Sequence, residues 1–231
     1  MINNSTMKLI VLSNPTNLNN EHRLLCSLFE AGLTYFHLRK PNFILQEMEA
    51  YIQQIPSTYW SKIVLHSHHS LVEKYNLKGK HLSLADSADK RRNNNSTSAN
   101  ISKISVKQTN TNESINYTST SFHSLEKIKQ NSINYEYVFL SPIFDSISKQ
   151  GYKSAFDKAT LKTLLNELNK NVEIIALGGI DEHNIPQAVD LGFDGVALLG
   201  ALWQAEYPIE KFKQLAAVCN SVNTIKKEVN V

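Results

Sequence analysis

Two stretches of the chain end in glycines that could seat a phosphate group. Leu177-Gly178-Gly179-Ile180 and Leu199-Gly200-Ala201-Leu202 each close an apolar run and leave main-chain N–H groups accessible to an anion. A single such end would read as a tight turn; two of them favour phosphate binding by Gly178, Gly179 and Gly200. Ser146-Ile147-Ser148-Lys149 adds two hydroxyls and an ammonium that could hold a second anionic group. His37 and Arg39 are two residues apart, so in a strand both side chains share a face. Ser121 and His123 repeat that spacing. His66-Ser67-His68-His69 lacks the helical His-x-x-x-His spacing and nearby carboxylates of a metal site, so its histidines are expected to cap a helix. Lys90-Arg91-Arg92 reads as a solvated run.

The elements that must position these groups alternate along the chain. Short β-branched runs predict strands at Ile10–Leu12, Tyr35–Arg39, Ile63–His66, Lys80–Leu84, Tyr117–Ser121, Tyr137–Ser141, Ile174–Leu177 and Gly195–Leu199. Segments of helical period lie between them, including Leu45, Met48, Tyr51 and Ile52, and a final helix from about Ile209 to Val222. Eight strands each followed by a helix predict an all-parallel sheet, and the chain length favours closure. The expected fold is α/β, a single (β/α)8 TIM barrel over residues 1–231, with chemistry at the C-terminal strand ends. An open dinucleotide-binding sheet would need a glycine-rich loop after the first strand, where this chain has Ser13-Asn14-Pro15-Thr16-Asn17. Residues 86–116, rich in Asn, Ser, Thr and Lys, bury too little apolar area to order themselves and are expected to form a polar surface loop. Residues 1–7 and 224–231 are expected to be loosely ordered ends.

Composition excludes several classes. A net charge of +3 over 231 residues leaves no nucleic-acid footprint. Two cysteines, Cys26 and Cys219, make no disulfide framework, and no apolar run approaches the length that spans a bilayer. The N-terminus lacks a signal-peptide layout, so a cytoplasmic globule is expected. The sequence leaves its oligomeric state, including a homo-oligomer, open.

The chain resembles the thiamine phosphate synthase/TenI family through ordered blocks. These are Phe36-His37-Leu38-Arg39, Lys80-His81-Leu82, Ser121-Phe122-His123-Ser124-Leu125-Glu126, Tyr137 to Phe144, Ala176-Leu177-Gly178-Gly179-Ile180, and Gly192 to Ala197. The resemblance implies the same barrel. Its synthases join a pyrimidine pyrophosphate to a thiazole phosphate with Mg²⁺ and release pyrophosphate. It further implies that Arg39, Ser121 and Lys149 contact the pyrophosphate, with Ser146 and Ser148 in place of the usual threonines. Gly179 and Gly200 would cradle the thiazole phosphate, and Asp86 would fall at a Mg²⁺ aspartate.

Departures from the synthase pattern cluster on the pyrimidine and metal contacts. His37-Leu38-Arg39-Lys40-Pro41 stands where synthases have Gln-Leu-Arg-Glu-Lys, and His66-Ser67 replaces an Asn-Asp pair. TenI-type members, which resemble synthases stripped of these groups, isomerise a thiazole phosphate carboxylate without a metal or other cofactor. On that ground a thiazole tautomerase is expected, with His123 as shuttle and His37 as a second acid or carboxylate contact. The alternatives are thiamine phosphate synthase, with Asp86 and Mg²⁺, and a non-catalytic phosphate-binding barrel. In each case the partner is a small phosphate ester, with no nucleic acid and no membrane.

Overall fold

The computed structural model describes residues 7–83, 117–145, 154, 156–168 and 172–229, the stretch 223–229 as backbone only. Eight strands form a closed parallel barrel in sequence order: β1 (Lys8–Leu12), β2 (Tyr35–Leu38), β3 (Ile63–Leu65), β4 (Gly79–Leu82), β5 (Tyr117–Phe122), β6 (Tyr137–Leu140), β7 (Glu173–Leu177) and β8 (Gly195–Leu198). Closure is made by β1 on β8, with Lys8 opposite Gly195 and Val11 opposite Leu198. All eight expected strands are present, each bound within two residues of the expected one, because runs apolar on both faces have nowhere else to be buried.

Helices α1 (Glu21–Glu30), α2 (Leu45–Gln53), α3 (Ser70–Lys74), α4 (Leu125–Lys129), α5 (Lys158–Glu167), α6 (Ile185–Leu191), α7 (Gly200–Trp203) and α8 (Pro208–Val229) surround it. Side-chain caps fix two starts: Ser124 accepts from the Lys127 N–H and Asp157 from the Thr160 N–H. α8 runs seven residues beyond Val222, through a Lys-Lys-Glu stretch of good helix formers. Met7, expected in a loose end, is buried where it leads into β1. The expected polar loop of residues 86–116 lies outside the described residues. No helix among the described residues is long and apolar enough to cross a membrane.

Two apolar cores result. Outward-facing strand residues such as Val11, Phe36, Val138 and Ile174 pack against the helices, while Ile10, Leu12, Tyr137, Phe139, Ile175 and Ala197 fill one side of the barrel interior. At the N-terminal end Lys8 pairs with Glu173 and lies over the rings of Tyr35 and Tyr137, closing the bottom. The other side of the interior, from β2 to β5, is polar. There His37, His81 and Ser119 are buried and hydrogen-bonded, with the Phe139 ring against both imidazoles.

Candidate active site at the C-terminal barrel mouth

Register decides which polar groups meet. His81 is opposite Ser119 across β4 and β5, and Ser119 is opposite Tyr137 across β5 and β6. β3 ends one residue before His66, just past the Leu65–Lys80 pair, which brings His66 beside His81. Their rings stack at 4.1 Å between centroids. His81 Nδ1 shares a hydrogen bond with the Ser119 hydroxyl at 2.8 Å and Nε2 one with the Ser121 hydroxyl at 3.0 Å. His37 Nδ1 shares one with His66 Nε2 at 2.9 Å, and His37 Nε2 one with the Tyr137 hydroxyl at 2.5 Å. Burial drives all three imidazoles toward the neutral form. It carries His81 down to about 3, with the neighbouring positive charge of His69 and Arg39 adding to the effect. His37 and His66 are also held well below the usual histidine range, first by burial and then by the neighbouring His81, with His37, Arg39 and His69 adding to the effect on His66.

Above this cluster a cavity of about 700 Å³ opens at the strand C-termini. Its wall includes Arg39, His66, His81, Ser121 and His123 on one side and Gly178, Gly179, Gly200 and Ala201 on the other. His123 Nδ1 lies 2.9 Å from the Ser141 carbonyl, which can only accept, so Nδ1 carries the hydrogen and Nε2 is the basic nitrogen. Gly178 and Gly179 have φ of 97° and 66°. A Cβ on Gly179 would lie 2.2 Å from the Asp145 carbonyl oxygen. The Leu177 and Gly178 carbonyls accept from the Ile143 and Phe144 N–H groups, and Asn184 donates to the Gly179 carbonyl at 2.7 Å. In a trans peptide the N–H opposes the C=O. The N–H groups of Gly179 and Ile180 therefore turn the other way, within the stretch that lines the cavity.

The structure thus brings Arg39, Ser121, His123, Gly178, Gly179 and Gly200 to one cavity. His37 is placed differently from the expectation of a substrate contact. It is fully buried below the wall, because Arg39 takes the mouth position of its strand and His66 lies between it and the cavity. Asp86, Ser146, Ser148 and Lys149 lie outside the described residues. Lys40, next to the position where synthases have a lysine, is saturated. Its three donors go to the Asn14 carbonyl at 2.7 Å, the Thr16 carbonyl at 2.8 Å and the Glu21 carboxylate.

The residues that sequence reasoning passed over are Tyr137, Ser119 and the central His81. Their signal was the two-residue period of Ser119 with Ser121 and of His81 with Ser83, which puts each pair on one face of its strand. Among the described residues the cavity wall carries no carboxylate.

Comparison with known proteins points one way. The family pattern described as thiamine monophosphate synthase matches residues 8–202. The thiamine-phosphate synthase of Anoxybacillus flavithermus is 34% identical over 100 residues, which are 43% of this chain and 46% of that protein. The matched stretch thus spans less than half the length of that relative. A thiamine phosphate pyrophosphorylase from Bacteroides thetaiotaomicron superposes with a TM-score of 0.70 at 31% identity, covering 93% of this chain and 98% of that one. A second, from Pyrococcus furiosus, superposes at 0.67 with 18% identity over 95% and 98%, and speaks for the fold alone.

Proposed function

The chain belongs to the thiamine monophosphate synthase family, and from that premise we propose that it couples a pyrimidine pyrophosphate to a thiazole phosphate. This replaces the expectation of a tautomerase, since the relatives above are named synthases or pyrophosphorylases. The observation that carries the reading is the two-sided cavity. A cation and hydroxyl, Arg39 and Ser121, face one side, and the Gly178-Gly179 turn with Gly200 forms the other.

In this reading the thiazole phosphate is held by main-chain N–H groups around Gly179 and Gly200. The pyrophosphate of the second substrate lies against Arg39 and Ser121. A C–N bond to the thiazole nitrogen forms while the C–O bond to pyrophosphate breaks, and the electron pair leaves with the pyrophosphate oxygen. Charge grows on that oxygen in the transition state, so a fixed guanidinium beside it stabilises the transition state more than the ground state. His37 acts through His66, holding that ring against the cavity floor, and is a positioning residue.

The resemblance implies Mg²⁺, which takes oxygen donors and usually one or two carboxylates. The described wall offers imidazoles and hydroxyls instead, so it does not fit that ion. Asp86, the carboxylate expected to hold it, lies outside the described residues.

Two variants test the assignment. Gly179→Ala forces a side chain into left-handed backbone and against the Asp145 carbonyl. It is expected to weaken thiazole phosphate binding by about 10- to 100-fold in calorimetric titration, the size of one to two charge-assisted hydrogen bonds. Arg39→Ala is expected to lower kcat/KM for coupling by about 10- to 100-fold while leaving thiazole phosphate affinity unchanged. Equal losses of thiazole phosphate affinity in both variants would contradict the two-sided arrangement.

A second reading, the tautomerase, draws on His123 with its fixed tautomer and on the carboxylate-free wall. His123→Ala would then abolish isomerisation of a thiazole phosphate carboxylate, whereas under the synthase reading the protein shows no such isomerisation to lose.

A further inference from the structure

The mismatch between an oxygen-seeking ion and a nitrogen-lined floor has a positive counterpart. We propose that His37, His66 and His81 form a binding site for a borderline divalent transition metal such as Zn²⁺ or Co²⁺, at the floor of the cavity. Each residue offers one ring nitrogen as a ligand atom, and these three atoms lie within 4.8 Å of one another; a bound ion would take the place of the His37–His66 hydrogen bond and of the one between His81 Nε2 and Ser121. They come from three adjacent strands or strand ends, so the barrel itself positions them.

The outer partners are those a histidine ligand needs. With His37 Nδ1 turned to the metal, Nε2 faces the Tyr137 hydroxyl; with His81 Nε2 turned to it, Nδ1 faces the Ser119 hydroxyl. Such contacts fix tautomer and ring orientation in metal sites. All three imidazoles are held neutral, which is the ligating form.

A tetrahedral ion with metal–nitrogen bonds near 2.0–2.1 Å spaces its ligands by about 3.4 Å. The His37–His66 pair at 2.9 Å must open slightly, and the stacked His66 and His81 rings must tilt toward each other. The hydrogen now shared between His37 and His66 moves to the far nitrogen of the ring that carries it. Binding therefore needs a tautomer shift, with no net proton released. His66 and His81 line the cavity, so the fourth position opens toward it, beside Ser121.

Arg39 contributes opposing positive charge. The site is therefore expected to bind metal more tightly when an anion occupies the cavity, and inorganic pyrophosphate serves as the probe. The inference stands on these residues whether or not the chain performs the coupling.

The test uses the full chain, stripped with a chelator and titrated with Co²⁺, with and without inorganic pyrophosphate. One equivalent is expected to bind, with the visible d–d absorption of a four-coordinate, nitrogen-ligated ion and a tighter constant with pyrophosphate. His66→Asn and His81→Gln should each weaken it by about 100-fold or more, and Tyr137→Phe by about 10-fold. His183→Ala, at an 86% exposed side chain elsewhere, should leave it unchanged. Circular dichroism melts show which variants fold, and His66→Asn, at a half-buried position, keeps the test open if His81→Gln does not. Absence of a stoichiometric d–d band, or a band that survives His66→Asn, or one lost in His183→Ala, would overturn the proposal.

Discussion

Lys40→Met is expected to destabilise the fold by about 3–5 kcal/mol, measured by urea unfolding at pH 7.5. Lys40 and Glu21 form an ion pair in which both side chains are 1% exposed, tying the loop after β2 to the start of α1. Burial outweighs the pairing and holds the Glu21 carboxyl above its ordinary range. The pair is therefore a poor source of net stability, although neither charge tolerates losing the other. Removing the ammonium alone leaves a carboxylate with no cation in a site closed to water.

The double variant Glu21→Leu with Lys40→Met replaces both charges by apolar groups of similar length, and should recover most of the loss. The Asn14 and Thr16 carbonyls that Lys40 now satisfies belong to a half-buried to exposed loop that water can reach. A double variant as unstable as the single one would show that these loop contacts, rather than the buried charge, dominate. Lys40 saturated in this way also has no donor left for a substrate pyrophosphate, so the double variant tests that point through KM.

Acid is expected to unfold this protein unusually early. His37 and His81 are held neutral by burial, while in the unfolded chain each takes a proton near pH 6.5. Below that pH the unfolded state binds more protons than the folded one, so stability falls as pH falls; above it the contribution is fully present. For these two and His66, held low in the same way, the loss between pH 7.5 and 5.5 is about 4 kcal/mol. Glu21, shifted upward, works in the opposite sense and offsets part of it at lower pH. Urea midpoints across this interval give the slope. His37→Gln should reduce the loss by about 1.4 kcal/mol, one imidazole's share. A stability flat between pH 7.5 and 5.5 would mean that the cluster takes up protons in the folded state, by opening to water.

The barrel was legible in the sequence because parallel strands are buried on both faces. Runs such as Ile63-Val64-Leu65 and Tyr137-Val138-Phe139-Leu140 have no polar face to confuse their period. Glycines at 178, 179 and 200 pointed to the cavity wall for a reason that is local, since only the backbone of that turn is involved. The pairing of Glu21 with Lys40 was not legible, as it depends on where α1 starts relative to a loop 19 residues away. His37 lies deeper than its spacing suggests for a related reason. Residue spacing puts it on the same face as Arg39, but depth along the barrel axis is set by register with β3, and that register leaves it under His66. Register between β4, β5 and β6 likewise gathers His81, Ser119 and Tyr137 from three strands, a cluster no single segment announces.

The most direct test of the central claim is a coupling assay. Purified protein is incubated with pyrimidine pyrophosphate, thiazole phosphate and Mg²⁺, and thiamine phosphate is followed by the fluorescence of its oxidised product. The account predicts thiamine phosphate formed with one pyrophosphate per turnover, at a rate reduced about 10- to 100-fold in kcat/KM by Arg39→Ala. No thiamine phosphate from folded protein that binds thiazole phosphate would contradict it.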